Sequence, residues 1–393
     1  MHTPQNILDK AKALKSWLIT HRRHLHKHPE LSFREVETKK YIRHVLQSLG
    51  LSISDITETG LATTCHGANS GPYIALRADM DALPVQENTA YSYASVNRNV
   101  MHACGHDVHM TCLLGALHIL NDLRSEFSGN VLGVFQPGEE ILPGGAIKVI
   151  ESGIFDKYKP RLIIGQHVMP GQATGTLGFR PGHYMASTDE IYISVKGNGG
   201  HIAVPSLTQD VVSAAAEIVI SLKQKVTKEA GDIPVVIGFG KTEAQGSTNL
   251  MPTEANLTGT FRTMDEKFRS HAKNLIHTIV EQIAERYGAV SEINIIKGYP
   301  ALNNHTLFTK EAMHYASELV GNQNIIKLEK RMTGEDFAHY ARIMPAVFYR
   351  LGIAGNDAGE NNVHRPDFDV DEEALVYGSA SMAWLALKFL NRL

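Results

Sequence analysis

The sequence predicts an α/β protein in which an open mixed sheet is flanked by helices and a ferredoxin-like α+β module is inserted. Two patterns carry this prediction: apolar strand-like runs that alternate with long helical stretches, and a change to a βαββαβ order near residue 183. The chain has 393 residues, 43% of them hydrophobic. That length favours two domains over one.

The first half of the chain alternates between strand and helix patterns. Strands are expected at YIALRAD, VLGVFQ and RLIIGQH, which are residues 73–79, 131–136 and 161–167. Helical periodicity marks the stretch that starts at residue 33 and stops at Gly50, and the stretch 107–124. In open sheets of this kind, ligands bind at the carboxyl ends of the strands.

The second pattern begins near residue 183. The segment DEIYISVKG (189–197) alternates apolar and polar residues, and it is followed by patterns for a helix, two strands, a helix and a final strand that ends near residue 298. This order is complete in itself. We therefore predict an inserted module at 183–298, with 1–182 and 299–393 forming the other domain.

Charge and cysteine content limit the classes of partner. The net charge of −3 and the absence of a dense Lys/Arg block argue against binding to nucleic acid or to an anionic membrane, so a small-molecule partner is expected. Three cysteines fit a reducing compartment better than a disulfide framework. The first residues lack the apolar core of a signal peptide, and no run reaches the roughly 18 apolar residues of a membrane helix. A cytoplasmic location follows as an expectation.

Polar side chains follow each of the three predicted strands. Asp79 and Asp81 come at the end of the first, Glu139 and Glu140 come after the second in QPGEE, and His167 ends the third. Because ligand sites lie at the carboxyl ends of such strands, these side chains are expected at one edge of the sheet. Adjacent side chains in a loop diverge, so one glutamate can bind metal while the other faces the reacting atom.

The segment MHACGHDVHM (101–110) adds three histidines, a cysteine and an aspartate. His102, Cys104 and His106 are two residues apart, which puts them on one side of an extended segment, so a loop or strand end is predicted. Cysteine and histidine are ligands for zinc and its first-row neighbours. The alternative is a buried thiol among hydrogen-bonded core histidines. That alternative is the better interpretation for a single histidine, but the cluster favours a metal site.

Eight segments, in order, resemble the successive motifs of the aminoacylase and carboxypeptidase family of dinuclear metallohydrolases. The branch that they resemble contains the hippurate hydrolases and the indole-acetyl-amino-acid amidohydrolases. The segments are LRADMDALP, HACGHDVHMTCLLGA, FQPGEE, GQHVMP, GNGGHIAVP, NLMPTEANLTGTFR, TGEDFAHY and NVHRPDFDV. They span nearly the whole chain.

The resemblance implies two divalent metal ions, Zn, Mn, Ni or Co, and a set of ligands. The implied ligands are Cys104, His106, Glu140, His167 and His364. Glu139 is implied as the general base. Asp79 is expected to orient a ligand rather than to bind metal. Where many members have a metal-binding histidine, this chain has Arg77.

The resemblance also implies residues that act on the substrate. His201 and Asn249 match positions that stabilise the tetrahedral oxyanion, and Arg262 matches the group that binds the substrate carboxylate, for which a planar guanidinium is suited. Glu335 and Asp336 in TGEDF are interpreted either as part of the site or as a cap of the following helix. The histidines of HRRHLHKHPEL are interpreted as scaffold: His24, His26 and His28.

The function that these expectations support is metal-dependent hydrolysis of the amide bond of N-acyl-amino acids by metal-activated water. A dipeptidase or carboxypeptidase of the same family is the first alternative. A non-catalytic metal or ligand receptor is the second, although a receptor has no need of Glu139. A zinc deaminase requires His-x-Glu with Cys-x-x-Cys, and neither pattern is present. The resemblance favours a homodimer built through the inserted module, with His201 reaching the metal centre of the other subunit.

Overall fold

A computed structural model describes residues 2–355 and 358–393 and confirms the mixed α/β class. The chain divides into two compact units. The first comprises the residues up to Gly182, Asn303–Glu329 and Asp336–Leu393; the second comprises His183–Leu302 and Lys330–Glu335. Within the described ranges, no helix combines the length and the apolar character that crossing a bilayer requires.

The described residues contain sixteen strands and eleven α-helices, numbered here in chain order. The strands are β1 Ser52–Asp55, β2 Leu61–His66, β3 Asn69–Asp79, β4 Ser128–Gln136, β5 Leu162–Ala173, β6 Leu177–Phe179, β7 Gly182–Met185, β8 Asp189–Lys196, β9 Gly200–His201, β10 Val235–Glu243, β11 Leu250–Met251, β12 Glu254–Thr263, β13 Val290–Lys297, β14 Leu302–Asn304, β15 Ile325–Lys327 and β16 Ala346–Ala354. The helices are α1 Pro4–Ala13, α2 Lys15–Lys27, α3 Val36–Ser48, α4 His106–Asp122, α5 Gly145–Glu151, α6 Ile154–Tyr158, α7 Val211–Ala230, α8 Glu266–Arg286, α9 Thr306–Val320, α10 Ala338–Ala341 and α11 Ala374–Arg392.

The first unit is built on an eight-stranded sheet with the order β1-β2-β4-β3-β5-β16-β6-β15. Its central strands β4, β3, β5 and β16 run parallel. Every residue of β16 is buried, as expected for a parallel strand that is covered on both faces. The alternation of apolar runs and helical patterns therefore predicted this sheet correctly.

Helices α4 and α11 pack closely against each other. Gly115 of α4 makes this possible, because a β-carbon at that position would lie 2.4 Å from Ser379 Oγ of α11. Nearly every residue of both helices is buried. They therefore form the interior of the first unit and not an amphipathic surface layer.

The second unit contains a four-stranded antiparallel sheet with the order β10-β12-β8-β13. This is the order expected for a βαββαβ module. Asp210 and Asp265 cap the two long helices, accepting hydrogen bonds from the backbone N–H groups of Ser213 at 2.9 Å and Phe268 at 2.6 Å. The role of this module in dimerisation remains a prediction, as does the cytoplasmic location.

Two details differ from the sequence prediction. The extended segment predicted for 101–110 ends at Gly105, and α4 begins at His106. The loop prediction was wrong for 106–110 because the two-residue spacing of His102, Cys104 and His106 continues past Gly105, where the extended segment ends; the helix predicted at 107–124 is confirmed, with its start one residue earlier. In addition, β5 continues to Ala173, and His167 therefore lies inside the strand and not at its end.

A buried ion pair joins α2 to the first turn of α4. Arg22 Nε lies 2.8 Å from Asp107 Oδ2, and both side chains are 0% exposed. His26 Nδ1 is 2.9 Å from the same oxygen, which supports the scaffold interpretation of His26. Burial opposes ionisation of Asp107, but Arg22 and His26 outweigh it and hold the pKa of Asp107 well below its usual value.

This ion pair predicts a difference between two neighbouring arginines. Arg22→Met leaves a buried carboxylate without its guanidinium, so the free energy of unfolding should fall by about 3–5 kcal/mol. Arg23→Met is the matched control, because Arg23 pairs with Glu372 on the surface with its side chain 44% exposed, and an exposed pair contributes about 1 kcal/mol or less. Urea denaturation measures both, and equal losses would contradict the assignment.

Candidate metal centre

The carboxyl ends of three parallel strands lie at one edge of the sheet in the first unit. The β3–β4 pairing runs to Asp79 opposite Gln136, and the β3–β5 pairing runs to Arg77 opposite Gly165. The predicted convergence of the three strands is therefore confirmed. After β4 the chain leaves this edge in the QPGEE loop, whereas β5 continues past His167.

A glycine brings the start of α4 to the same edge. Gly105 has a φ of +80°, and a β-carbon there would lie 2.7 Å from the side chain of Val168. Both features favour glycine at this position. The resulting close approach places Cys104 Sγ 3.5 Å from His167 Nε2.

His106, the first residue of α4, is oriented by a carboxylate. Its Nδ1 lies 3.2 Å from Asp81 Oδ1, and Asp81 Oδ2 in turn accepts a hydrogen bond from Ser32 Oγ at 2.6 Å. The buried Nε2 of His106 has no hydrogen-bond partner among the described residues. A histidine whose Nδ1–H is held by a carboxylate presents Nε2 as a metal ligand. Asp81 was predicted to lie at this edge, but its sequence position predicted no role for it.

His109, one helical turn later, has both ring nitrogens occupied. Its Nδ1 lies 2.6 Å from Asp79 Oδ1, and its Nε2 accepts a hydrogen bond from the backbone N–H of Val168 at 2.9 Å. His109 therefore binds the backbone of β5 at Val168, the residue after His167, and is not available as a ligand. Asp79 was expected to orient a ligand; its hydrogen bonds join it to His109 and Arg77, while His106 Nε2 lies 3.7 Å from it.

Glu140 and His364 complete the cluster from two different loops. Glu140 Oε1 lies 3.3 Å from His364 Nε2 and 3.9 Å from His106 Nε2. The backbone N–H of His364 donates to the carbonyl of Ala103 at 2.7 Å, which ties the two loops together. His364 adopts a φ of +67°, a conformation that is uncommon for residues other than glycine.

The five predicted ligands lie in three overlapping groups of potential metal donors. Within each group the ligand atoms lie within 4.8 Å of one another: Cys104, His106 and His167; Cys104, Glu140 and His364; His106, Glu139 and Glu140. Like His106 Nε2, the buried Oε1 of Glu140 has no hydrogen-bond partner among the residues described. Buried nitrogen, oxygen and sulfur donors of this kind fit zinc and other first-row divalent ions.

The carboxylates of the cluster also favour the binding of a cation. Burial by itself lowers the pKa of His106, but the carboxylates of Asp79 and Asp81 outweigh it and raise that pKa to about 10. Burial raises the pKa of the Cys104 thiol well above its usual value, and the carboxylate of Glu140 raises it further. A thiolate at position 104 therefore requires a positive charge next to it, which a divalent metal ion provides.

Glu139 accepts a hydrogen bond from the backbone of the segment that contains Asp336. The backbone N–H of Asp336 lies 3.4 Å from its Oε1. The Asp336 carboxylate accepts hydrogen bonds from Arg77 at 2.8 Å, from Gln136 at 2.8 Å and from the backbone N–H of Ala146 at 2.9 Å. This carboxylate therefore connects Arg77 at the end of β3 to Gln136 at the end of β4, which favours the interpretation of Asp336 as part of the site.

The remaining predicted residues belong to the second unit. His201 lies opposite Leu250 in the β9–β11 ribbon, and the backbone N–H of Ile202 donates to the carbonyl of Asn249 at 3.1 Å. His201 and Asn249 are thus close together and exposed. Arg262, on β12, donates to the carbonyl of Met332 at 3.3 Å, and burial lowers the pKa of its guanidinium. Their catalytic and substrate-binding roles remain predictions.

Known proteins match the chain over most of its length. The N-acetylcysteine deacetylase of Bacillus subtilis is 38% identical over 383 residues, covering 97% of this chain and 98% of that protein. Thermostable carboxypeptidase 1 of Saccharolobus solfataricus is 32% identical over 400 residues and the full length of both chains. The crystal structure of the Bacillus subtilis YXEP protein, described as a dinuclear metal-binding peptidase of the M20 family, has a TM-score of 0.84 and 36% identity, with 97% of this chain and 100% of that chain covered.

The family model agrees with these matches. The model of peptidase family M20/M25/M40 matches residues 75–388, a range that contains every ligand candidate of the cluster. Divalent metal ions as cofactors are supported by this match, by the likeness to the YXEP structure and by the donor groups of the cluster. The chain therefore belongs to peptidase family M20/M25/M40 and is a hydrolase of amide bonds.

Proposed function

We propose that this protein hydrolyses the amide bond of N-acyl-amino acids, with N-acetyl-amino acids and hippurate-like compounds as its substrate class. The observation that carries the proposal is the pair of neighbouring glutamates in QPGEE. Both carboxylates lie in groups of potential metal donors, but Glu140 also belongs to the group with Cys104 and His364, whereas the carboxylate of Glu139 also accepts a hydrogen bond from the backbone N–H of Asp336. One carboxylate is thus assigned to metal and the other to proton transfer.

The ligands are assigned to two ions. Cys104, His106, Glu140, His167 and His364 would hold two divalent ions, Zn, Mn, Ni or Co. When bound, such ions polarise the substrate carbonyl and lower the pKa of water. Asp81 keeps His106 in the tautomer that binds metal, and His109 binds the backbone of Val168, next to His167 on β5.

The chain's own groups then move the proton and hold the substrate. Glu139 accepts a proton from the attacking water and delivers it to the nitrogen of the leaving amino acid as the C–N bond breaks. His201 and Asn249 are proposed as donors to the oxyanion. Arg262 is proposed to bind the substrate carboxylate, which its planar guanidinium can contact through two parallel hydrogen bonds.

The names of the relatives support an acyl-amino-acid substrate over a peptide. Two Bacillus subtilis relatives at 38% and 34% identity are N-acetylcysteine deacetylases, while a carboxypeptidase matches at 32%. The resemblance to hippurate hydrolases points to the same class of substrate. A dipeptidase or carboxypeptidase remains the alternative reaction, because it requires the same metal and base.

A comparison of substrates tests the proposal. Metal-reconstituted protein should hydrolyse N-acetylcysteine or N-benzoylglycine with a kcat/KM at least about tenfold above that for free dipeptides, because an acyl group brings no ammonium charge to a cationic metal centre. Release of the free amino acid, measured by an amine-reactive dye or by chromatography, gives the rates. A preference for dipeptides would establish the alternative, and no turnover by metal-loaded protein would favour a receptor.

The ligand assignment predicts a loss of metal. Cys104→Ser replaces a soft sulfur donor with a hydroxyl, so the metal content after dialysis should fall to about one equivalent per chain or less from about two. Cys65→Ala is the matched control, because Cys65 is also buried but lies on β2 opposite Val131. Elemental analysis measures both variants. Unchanged metal content in Cys104→Ser would remove this residue from the ligand set.

Substitution of Glu139 and substitution of Glu140 should affect different properties, kcat in the first case and metal content in the second. Glu139→Gln preserves shape but cannot accept a proton, so kcat should fall by roughly 10²–10⁴-fold while metal content stays at the wild-type level. Glu140→Gln should instead lower the metal content. Steady-state kinetics and elemental analysis on the same preparations separate the two effects. If the phenotypes are exchanged, the roles of the two residues must be exchanged as well.

A further inference from the structure

Glu35, a buried carboxyl outside the ligand set, contacts the loop that carries the two glutamates. Its Oε1 accepts hydrogen bonds from the backbone N–H of Gly138 at 2.8 Å and from the backbone N–H of Phe33 at 2.9 Å. The side chain is 0% exposed, and Gly138 is 103 residues away in sequence. Glu35 therefore fixes the residue immediately before Glu139.

Phe33 contacts the same glycine from the side. A β-carbon at Gly138 would lie 2.3 Å from the ring of Phe33, so the ring occupies the space that a side chain at 138 would need. Phe33 itself has a φ of 63°, an outlier for a bulky residue. Such conformations persist only where the surroundings enforce them. The Lys148 Nζ lies 3.8 Å from the centre of the ring.

Ser32 is connected to the other side of the QPGEE loop, at Glu140, by a hydrogen bond to Asp81. The Asp81 Oδ2 atom that accepts from Ser32 Oγ also accepts from the backbone N–H of Glu140 at 2.9 Å. The carbonyl of Gly138 accepts from the backbone N–H of Gly145 at 2.8 Å. The loop backbone is thus anchored on both sides of Glu139, and one four-residue segment, 32–35, reaches both anchor points.

Helix capping does not account for Glu35. It is the N-cap residue of α3, yet its side chain makes no capping hydrogen bond to that helix. Burial, and then the carboxylate of Asp81, raise the pKa of Glu35 to about 7. Burying a carboxyl group costs free energy unless its hydrogen bonds compensate. The bonds to Phe33 and Gly138 do not require a charge, because a neutral carbonyl oxygen also accepts them.

We propose that Ser32, Phe33 and Glu35 form a clamp that sets the position of the QPGEE loop, with Glu35 as the residue that positions Glu139. The role of Glu139 in this statement rests on the proposed function. The clamp requires that residue 35 have a hydrogen-bond acceptor on a side chain long enough to reach the backbone N–H of Gly138. A negative charge at that position is not required.

Three substitutions of Glu35 separate the effect of side-chain length from the effect of its negative charge. Glu35→Gln keeps the acceptor and removes the charge, Glu35→Asp keeps the charge and withdraws the acceptor by one methylene, and Glu35→Ala removes both. We expect Glu35→Gln to keep kcat within about twofold of wild type, and the other two to lose at least about tenfold in kcat with little change in KM, because small misplacements of a catalytic group are costly. The control is Glu37→Ala, which removes an exposed carboxylate paired with Lys40.

Hydrogen exchange provides a readout that does not depend on activity. With the same metal loading, the peptide containing the Gly138 amide should exchange about tenfold faster in Glu35→Asp and Glu35→Ala than in wild type, Glu35→Gln or Glu37→Ala. If Glu35→Ala fails to fold, the comparison of Glu35→Asp with Glu35→Gln still tests the clamp. Glu35→Asp with wild-type kcat and exchange, or Glu35→Gln with the large loss, would overturn the clamp. Wild-type protein that is inactive on N-acyl-amino acids would refute the proposed function and leave the exchange test valid.

Discussion

Carboxylates buried at the ends of β3 and β4 are the constraint on which the rest of the site depends. Ionised groups can be buried only when cations and hydrogen bonds accompany them. Arg77 pairs with Asp79 and Asp336, and His106 pairs with Asp81. The carboxylates also raise the affinity of the cluster for positive charge, so one arrangement stabilises the strand ends and prepares them for divalent ions.

Several residues orient the site without being assigned to metal or substrate. Asp81 sets the tautomer of His106, His109 ties α4 to β5, and Asp336 joins the strand ends to Glu139. Each acts through hydrogen bonds of about 2.6–3.4 Å to a backbone or side-chain group. Such support limits the motion of catalytic groups, and small displacements of those groups have large effects on rate.

The sequence predicted the strands because they depend on local patterns, whereas the set of five metal ligands was implied by the resemblance to a known family. An apolar run followed by Asp79 or by QPGEE indicates a strand end and its chemistry without any knowledge of distant residues. Hydrogen bonds between residues that are far apart in sequence could not be predicted from such patterns. Neither the contact between Glu35 and Gly138, 103 residues apart, nor the hydrogen bonds of Asp336 to Arg77 and Gln136 have a local signal. The loop predicted for 101–110 extended past the start of α4 at His106 because the two-residue spacing of its polar side chains continues into the helix, although the helix itself was predicted from residue 107.

A crystal structure of zinc-reconstituted protein, with diffraction collected on both sides of the zinc absorption edge, tests the central claim most directly. Two anomalous peaks per chain are predicted, each about 2.0–2.3 Å from its protein ligands. The ligand atoms should belong to Cys104, His106, Glu140, His167 and His364. Peaks coordinated by Asp79 and His109 instead, or fully loaded crystals without a peak at this edge of the sheet, would contradict the account.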